Sequence, residues 1–328
     1  INIFGIASGM SFLHANQTIH RDLTPLTILE DNYLYPQISN FSLSQNANQD
    51  TKIDSSIKEI FVNSPYYKAP EIFVNNSCSF ASDVYSFALV VYEILTDEAP
   101  FQNLKTIDML IKVVQQSYRP DIKSKSIPSC YKNLITQCWS QDPRKRPSFN
   151  EIVNRLKKSE EFVTSYDVDR TEYRNYVRYV DEYYEKSHFT FSEESIQKVT
   201  LFPVFEKKPL SLNIESIDMS KLRKMGRIGE GTFGTIYEVL NIENGKRYAA
   251  KEFKSKIYKK IENEDKISYL KSEVAILKKV NHPAIIKFVG FNPTNFDNLL
   301  KPIIFTELVA NRSLEAVLQL ERNGLADE

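Results

Sequence analysis

Two hydrophobic periods divide this 328-residue chain, and any fold it adopts must house both. Up to about residue 157 apolar residues recur at helical spacing. Ile3, Ala7, Met10 and Leu13 share one helical face, and Val84 to Leu95 reads as a longer apolar helix buried on all sides. From Leu222 the period drops to two: Ile236, Glu238, Leu240 and Ile242 line one side of a strand, and Tyr237, Val239 and Asn241 the other. Asn244-Gly245 then predicts a two-residue hairpin turn, with Lys246 to Phe253 as the returning strand. A helix is predicted over roughly Lys266 to Val280, where Ile267, Leu270, Val274, Leu277 and Val280 lie three or four apart. Two further strands are predicted near Ile285–Val289 and Ile303–Leu308. The fold class is α+β, with a mainly helical segment at 1–157 and an antiparallel sheet with one helix at 222–328.

Residues 158–221 join the two, and their position alone would make them a linker. Six tyrosines and five phenylalanines argue otherwise, because disordered linkers are poor in aromatics. Tyr173, Tyr176, Val180 and Tyr183 keep helical spacing, and Asp169 followed by Glu172 resembles a capping box, so a helix is expected near 170–186. Its tyrosine stripe reads as a surface that packs on a neighbouring lobe rather than as a modification or stacking site.

Charge excludes several functions. Lys+Arg and Asp+Glu number 42 each, so no global basic field draws the chain to nucleic acid or to an anionic membrane. The longest fully apolar run, Phe87 to Tyr92, is far too short to span a bilayer. Cys78, Cys130 and Cys138 form no C-x-x-C pair and cannot all be disulfide-bonded, which points to reduced thiols and a cytoplasmic setting. The chain starts at Ile1 with no readable secretion signal and is expected to begin inside a longer protein.

No glycine lies between Gly9 and Gly226, after which Gly229, Gly231 and Gly234 come in quick succession. Ile228-Gly229-Glu230-Gly231-Thr232-Phe233-Gly234-Thr235-Ile236 carries the G-x-G-x-x-G pattern, weak evidence alone. A dinucleotide fold would need a helix to start at the glycines, whereas here a hairpin follows. Such a hairpin loop suits a triphosphate, whose oxygens can approach backbone N–H groups with no Cβ in the way. Lys251 of Ala249-Ala250-Lys251 comes seventeen residues after Gly234, and Glu273 twenty-two after that, mid-helix. This set resembles the amino-terminal lobe of a protein kinase. The resemblance implies a five-stranded antiparallel sheet plus one helix, ATP as ligand, and Thr306-Glu307-Leu308 as the gatekeeper and hinge. It also implies that Lys251, held by Glu273, contacts the α/β phosphates.

Residues 1–157 resemble the carboxy-terminal lobe of the same family. His20-Arg21-Asp22-Leu23, Ala69-Pro70-Glu71, Asp83-Val84-Tyr85-Ser86-Phe87, Cys138-Trp139 and Arg146-Pro147 come in its order and spacing. By that likeness Asp22 is the catalytic base position, Glu71 pairs with Arg146, Asp83 braces the loop of His20 and Arg21, and Phe41 is structural. Asn63-Ser64-Pro65-Tyr66-Tyr67 looks like the substrate loop of Ser/Thr and tyrosine-kinase-like enzymes, so the implied partner is a protein substrate.

The departures fall in one place. Thr27 stands where the family has a metal-binding asparagine, Asn40-Phe41-Ser42 where it has D-F-G, and Thr24 where it has a lysine for the γ-phosphate. Neutral oxygens hold Mg²⁺ poorly, so the first segment is expected to be weak or inactive and to take no metal. The lobes also come in reverse order. The simplest expectation is a window on tandem kinase domains that contact each other, neither site complete within the chain. ATP and Mg²⁺ would then belong to a completed second domain. A permuted single kinase, its two lobes closing one cleft, is the alternative, and a flexible connector of this length could span roughly 40–50 Å. Two function classes follow, an ATP-dependent phosphotransferase and a pseudokinase that regulates or scaffolds.

Overall fold

The computed structural model describes residues 1–48, 65–163, 169–189, 217–231, 233–254, 263–299, 301–309 and 312–324. The first segment is built on α1 (Asn2–Ala15), whose Ile3, Phe4, Ile6, Ala7, Met10 and Leu13 are all buried. Its small residues Gly5, Ser8 and Gly9 are buried too, so the helix is enclosed on nearly every side. Two short antiparallel pairs follow: β1 (Thr18–Ile19) pairs with β4 (Gln45–Asn46), and β2 (Ile28–Glu30) with β3 (Pro36–Ile38). Helices α2 (Pro70–Asn75), α3 (Phe80–Thr96), α4 (Thr106–Gln116), α5 (Ser129–Cys138) and α6 (Phe149–Lys158) complete it. The apolar run in α3 is buried from Val84 through Tyr92, and its end at Ile94 and Leu95 is half-exposed.

Helix α7 spans Arg170–Phe189 and lies on the first segment. Buried Tyr176 meets Phe4 edge-on at 6.1 Å and Tyr35 at 4.3 Å, so the tyrosine stripe packs against α1 and the β2–β3 pair. The helix runs a little past the expected end.

The last segment is a five-stranded antiparallel sheet, β5 (Leu222–Glu230), β6 (Gly234–Asn241), β7 (Arg247–Phe253), β8 (Phe288–Asn292) and β9 (Ile303–Glu307), ordered β5-β6-β7-β9-β8. Its Val239, Ala250 and Phe305 face forms a small core with Leu222 and Ile303. Helix α8 (Asn263–Lys279) buries Leu270, Val274 and Leu277, and Val280 just beyond it is buried as well. The side chain of Ile267 lies outside the described residues.

Two turns differ from expectation. Asn241 N–H donates to the Lys246 carbonyl at 2.8 Å, which encloses four loop residues rather than two. The Asn241 side chain captures the amides of Glu243 and Asn244, and Gly245 at φ +69° closes the loop. The strand expected at Ile285–Val289 begins three residues later. Ile285 and Ile286 instead pair with the first segment: Ile38 N–H donates to the Ala284 carbonyl at 2.8 Å, and Ile286 N–H to the Ile38 carbonyl at 3.0 Å.

That pairing is one of several between the segments. Helix α9 (Leu314–Arg322) packs over residues 25–30, Glu30 N–H reaches the Arg312 carbonyl at 3.1 Å, and Arg322 donates to Glu93 at 2.5 Å. One apolar core runs from α1 and α3 through Ile285 to Leu277, Ile304 and Leu318. The two segments thus meet through backbone bonds and a shared apolar core. The reason is physical: each carries an apolar face and unpaired backbone groups that the other satisfies.

Candidate functional site

Lys251 sits on β7 and Glu273 on α8, and the Nζ to Oε1 distance is 2.8 Å. Glu273 is buried and Lys251 half-buried. Ser42 of the first segment joins this pair: Lys251 Nζ donates to Ser42 Oγ at 2.5 Å. Ser42 Oγ lies 3.1 Å from both Glu273 Oε2 and Asn40 Oδ1, one of which takes its proton. Loss of glycine at 42 produces no left-handed strain there, because the left-handed residue is Asn40 at φ 64°.

Asn40 Nδ2 donates to Asp22 Oδ2 at 3.4 Å, and Lys68 Nζ donates to Asp22 Oδ1 at 2.6 Å. Both carboxylate oxygens are therefore engaged. Thr27 Oγ1 accepts from Thr24 N–H at 3.1 Å and lies within 3.0 Å of the Asp22 and Thr24 carbonyls, so it caps the loop. Asp83 accepts from His20 N–H at 2.8 Å and from Arg21 N–H at 2.9 Å, which fixes the base loop. Phe41 stacks edge-on against His20 at 5.3 Å. Glu71 and Arg146 form a two-pronged pair at 2.6 and 2.9 Å, with the guanidinium over the Tyr85 ring.

The glycine loop closes by Gly231 N–H donating to the Gly234 carbonyl at 2.9 Å. A Cβ on Gly234 would stand 2.6 Å from the Glu252 carbonyl oxygen, so this position tolerates only glycine. Lys254 N–H holds the Phe233 carbonyl and its ammonium meets Glu230 at 2.6 Å, so the loop tip is tied to β7. Thr232 lies outside the described residues, as do Asn63 and Ser64 of the expected substrate loop. Ile228 is exposed, and Ile236, beside Lys251 on the sheet, is half-buried. Ala249 pairs with Thr306 in β9, Glu307 is anchored to Lys287 at 2.7 Å, and Leu308 follows the strand. The Gly-loop, lysine and hinge residues that can be described thus lie along β5, β6, β7 and β9 or at their ends, and Lys251 is joined through Ser42 and Asn40 to Asp22.

The donors suit an anionic ligand and not a metal. Bare glycine backbone and a half-buried lysine can take phosphate oxygens. Among the described residues no three His, Cys, Asp or Glu side chains gather to hold a metal ion. Thr27 is committed to the loop and Asn40 turns its NH₂ to Asp22, so neither offers the carboxylate oxygen Mg²⁺ prefers.

Lys68 went unnoticed in the sequence, although it immediately precedes Ala69-Pro70-Glu71. The signal was faint: a lysine inside an otherwise apolar stretch, informative only once its burial is seen.

Burial also sets the acid response. It pushes the His20 imidazole down, and His282 to about 3, so both stay neutral in the fold. Burial raises the Asp83 carboxyl, but His14 and His20 more than offset that and leave it below its usual value. Below about pH 6.5 the unfolded chain takes up protons these imidazoles refuse, and near pH 4 the Asp83 contribution begins to fall as well. The urea midpoint is expected to fall steadily from pH 7 to pH 4, and less steeply in His282→Gln. A flat profile would contradict the burial of these groups.

Sequence comparisons agree with the geometry. Residues 2–156 match the family model described as protein tyrosine and serine/threonine kinase, and residues 222–328 match that of the protein kinase domain. The chain belongs to the protein kinase superfamily. Among its kinase relatives, the probable serine/threonine-protein kinase drkC of Dictyostelium discoideum is 40% identical over 153 residues, 46% of this chain and 20% of that protein. The dual specificity protein kinase shkD of the same organism is 32% identical over 203 residues, 61% of this chain and 25% of that protein. The serine/threonine-protein kinase STY17 of Arabidopsis thaliana is 31% identical over 151 residues, 46% of this chain and 25% of that protein. The chain thus spans a quarter or less of these kinases. No helix among the described residues is long and apolar enough to cross a membrane.

Proposed function

We propose that both kinase-like segments of this chain build one adenine-nucleotide cleft, which binds ATP and transfers its γ-phosphate to protein Ser/Thr weakly or not at all. The observation that carries this reading is the contact of Ser42, from the first segment, with both Lys251 and Glu273 of the second. The intact lysine–glutamate pair supports binding, and the neutral Thr27 and Asn40 argue against metal-assisted transfer. Such a module serves a regulatory or scaffolding role in a cytoplasmic setting, in keeping with its three free cysteines. ATP, when bound, supplies a transferable γ-phosphoryl group, and the residues here hold and orient it.

The single-cleft reading is favoured over a tandem window because, among the described residues, three backbone hydrogen bonds, Glu30–Arg312, Ile38–Ala284 and Ile286–Ile38, cross between the segments beside a shared apolar core. In a single cleft, Asp22 and Lys251 variants both alter binding of one nucleotide; in a tandem window, Asp22 variants leave binding at Lys251 untouched.

Transfer of γ-phosphate to a generic protein substrate by the intact chain with Mg²⁺ should stay at the level of its Asp22→Asn variant. The combined Thr24→Lys, Thr27→Asn and Asn40→Asp variant should rise above it. Robust transfer by the unaltered chain, abolished by Asp22→Asn, would show the pseudokinase reading wrong.

A further inference from the structure

Lys68 is buried, with 3% of its surface exposed. A buried ammonium is costly unless its charge is met, and this one donates to Asp22 Oδ1 at 2.6 Å and to the Arg21 carbonyl at 2.8 Å. The pair ends a continuous polar line along the cleft floor: Lys251, Ser42, Asn40, Asp22, Lys68. Cations stand at both ends of it. At position 24, Thr24 is 2% exposed, and its amide is spent on Thr27.

A nucleoside triphosphate laid along this line from Lys251 brings its terminal phosphate towards the Asp22 carboxylate. Two anions at that range repel strongly in a partly desolvated cleft. Metal carboxylate ligands are missing here, so some other positive charge must offset Asp22. We propose that Lys68 is that built-in counter-charge, through which the cleft accepts a free nucleoside triphosphate without a divalent metal. Lys68 acts through Asp22 and is a positioning residue, and the inference rests on the nucleotide-cleft reading above.

The test titrates ATP and ADP into the intact chain by calorimetry, in EDTA and in Mg²⁺. The unaltered chain should bind ATP in EDTA at least as tightly as in Mg²⁺. Lys68→Met should weaken ATP about tenfold or more, since Asp22 is left uncompensated, and ADP far less. Asp22→Asn/Lys68→Met, which removes both charges, should restore ATP binding, and Lys68→Arg should retain it. If Lys68→Met unfolds, Lys68→Gln carries the same test, because it keeps a donor and drops the charge. Equal weakening of ATP and ADP, unchanged ATP affinity, or an absolute need for Mg²⁺ would each overturn the proposal. If the unaltered chain binds neither nucleotide, the cleft reading falls and takes this one with it. If it binds both and the Lys68 variants are silent, only this inference falls.

Discussion

Lys251→Met is expected to lower the affinity of the intact chain for ATP and ADP alike by an order of magnitude or more. The ammonium makes a charge-assisted contact that methionine cannot replace, at nearly the same side-chain volume. Glu273 meanwhile loses its cationic partner and stays buried, with the Ser42 hydroxyl as its remaining partner among the described residues. Lys251→Arg separates charge from shape, because the larger planar group cannot hold Glu273 and Ser42 as the ammonium does; it should bind between the two. Calorimetric titration reads this directly. Equal ATP affinity in the methionine variant would sink the assignment of this cleft to nucleotide.

Arg146→Met should destabilise the first segment by about 3–5 kcal/mol, the usual cost of leaving one member of a buried ion pair behind. The guanidinium is inaccessible and meets Glu71 twice, the Ser140 and Ala81 carbonyls, and the Tyr85 ring. Methionine fills the stem volume and leaves these acceptors unmet. Glu71→Gln, which keeps an acceptor, should cost less. Urea unfolding followed by tryptophan fluorescence at Trp139, next to α5 and buried, provides the measurement. A loss below about 1 kcal/mol, the range of exposed pairs, would mean that the pair is not sealed from solvent.

Much of this fold could be read from periodicity because most elements bury one face or the whole of their circumference. The α3 run and the α8 stripe name their own structure, whereas in β6 the alternation names the strand but the buried apolar side chain is Val239, opposite Ile236 and Leu240. Where the sequence misleads, a partner far along the chain decides. Ile285 and Ile286 have strand composition, yet their backbone groups pair with Ile38, and β8 starts only afterwards. Asn244-Gly245 is a strong local turn signal, but Asn241 captures two loop amides and lengthens the turn. The site divides similarly. Lys251, Glu273 and Asp22 stand in spaced patterns that carry their chemistry openly. Lys68 and Ser42 owe their importance to which charge they meet in space, and spacing along a chain does not encode that.

The order of the segments sets a schedule for the chain's synthesis. Gln37 donates to the Pro283 carbonyl, a partner 246 residues away in sequence. At about 5–20 residues per second, the ribosome delivers that partner roughly 10–50 s after Gln37 emerges. The residues that meet the Ile38 backbone edge, and Leu277 and Leu318 of the shared apolar core, are thus made well after the first segment. Helix α7, made in between, covers part of the same half early through Tyr176. A contact between stretches of chain made so far apart in time is completed only late in synthesis.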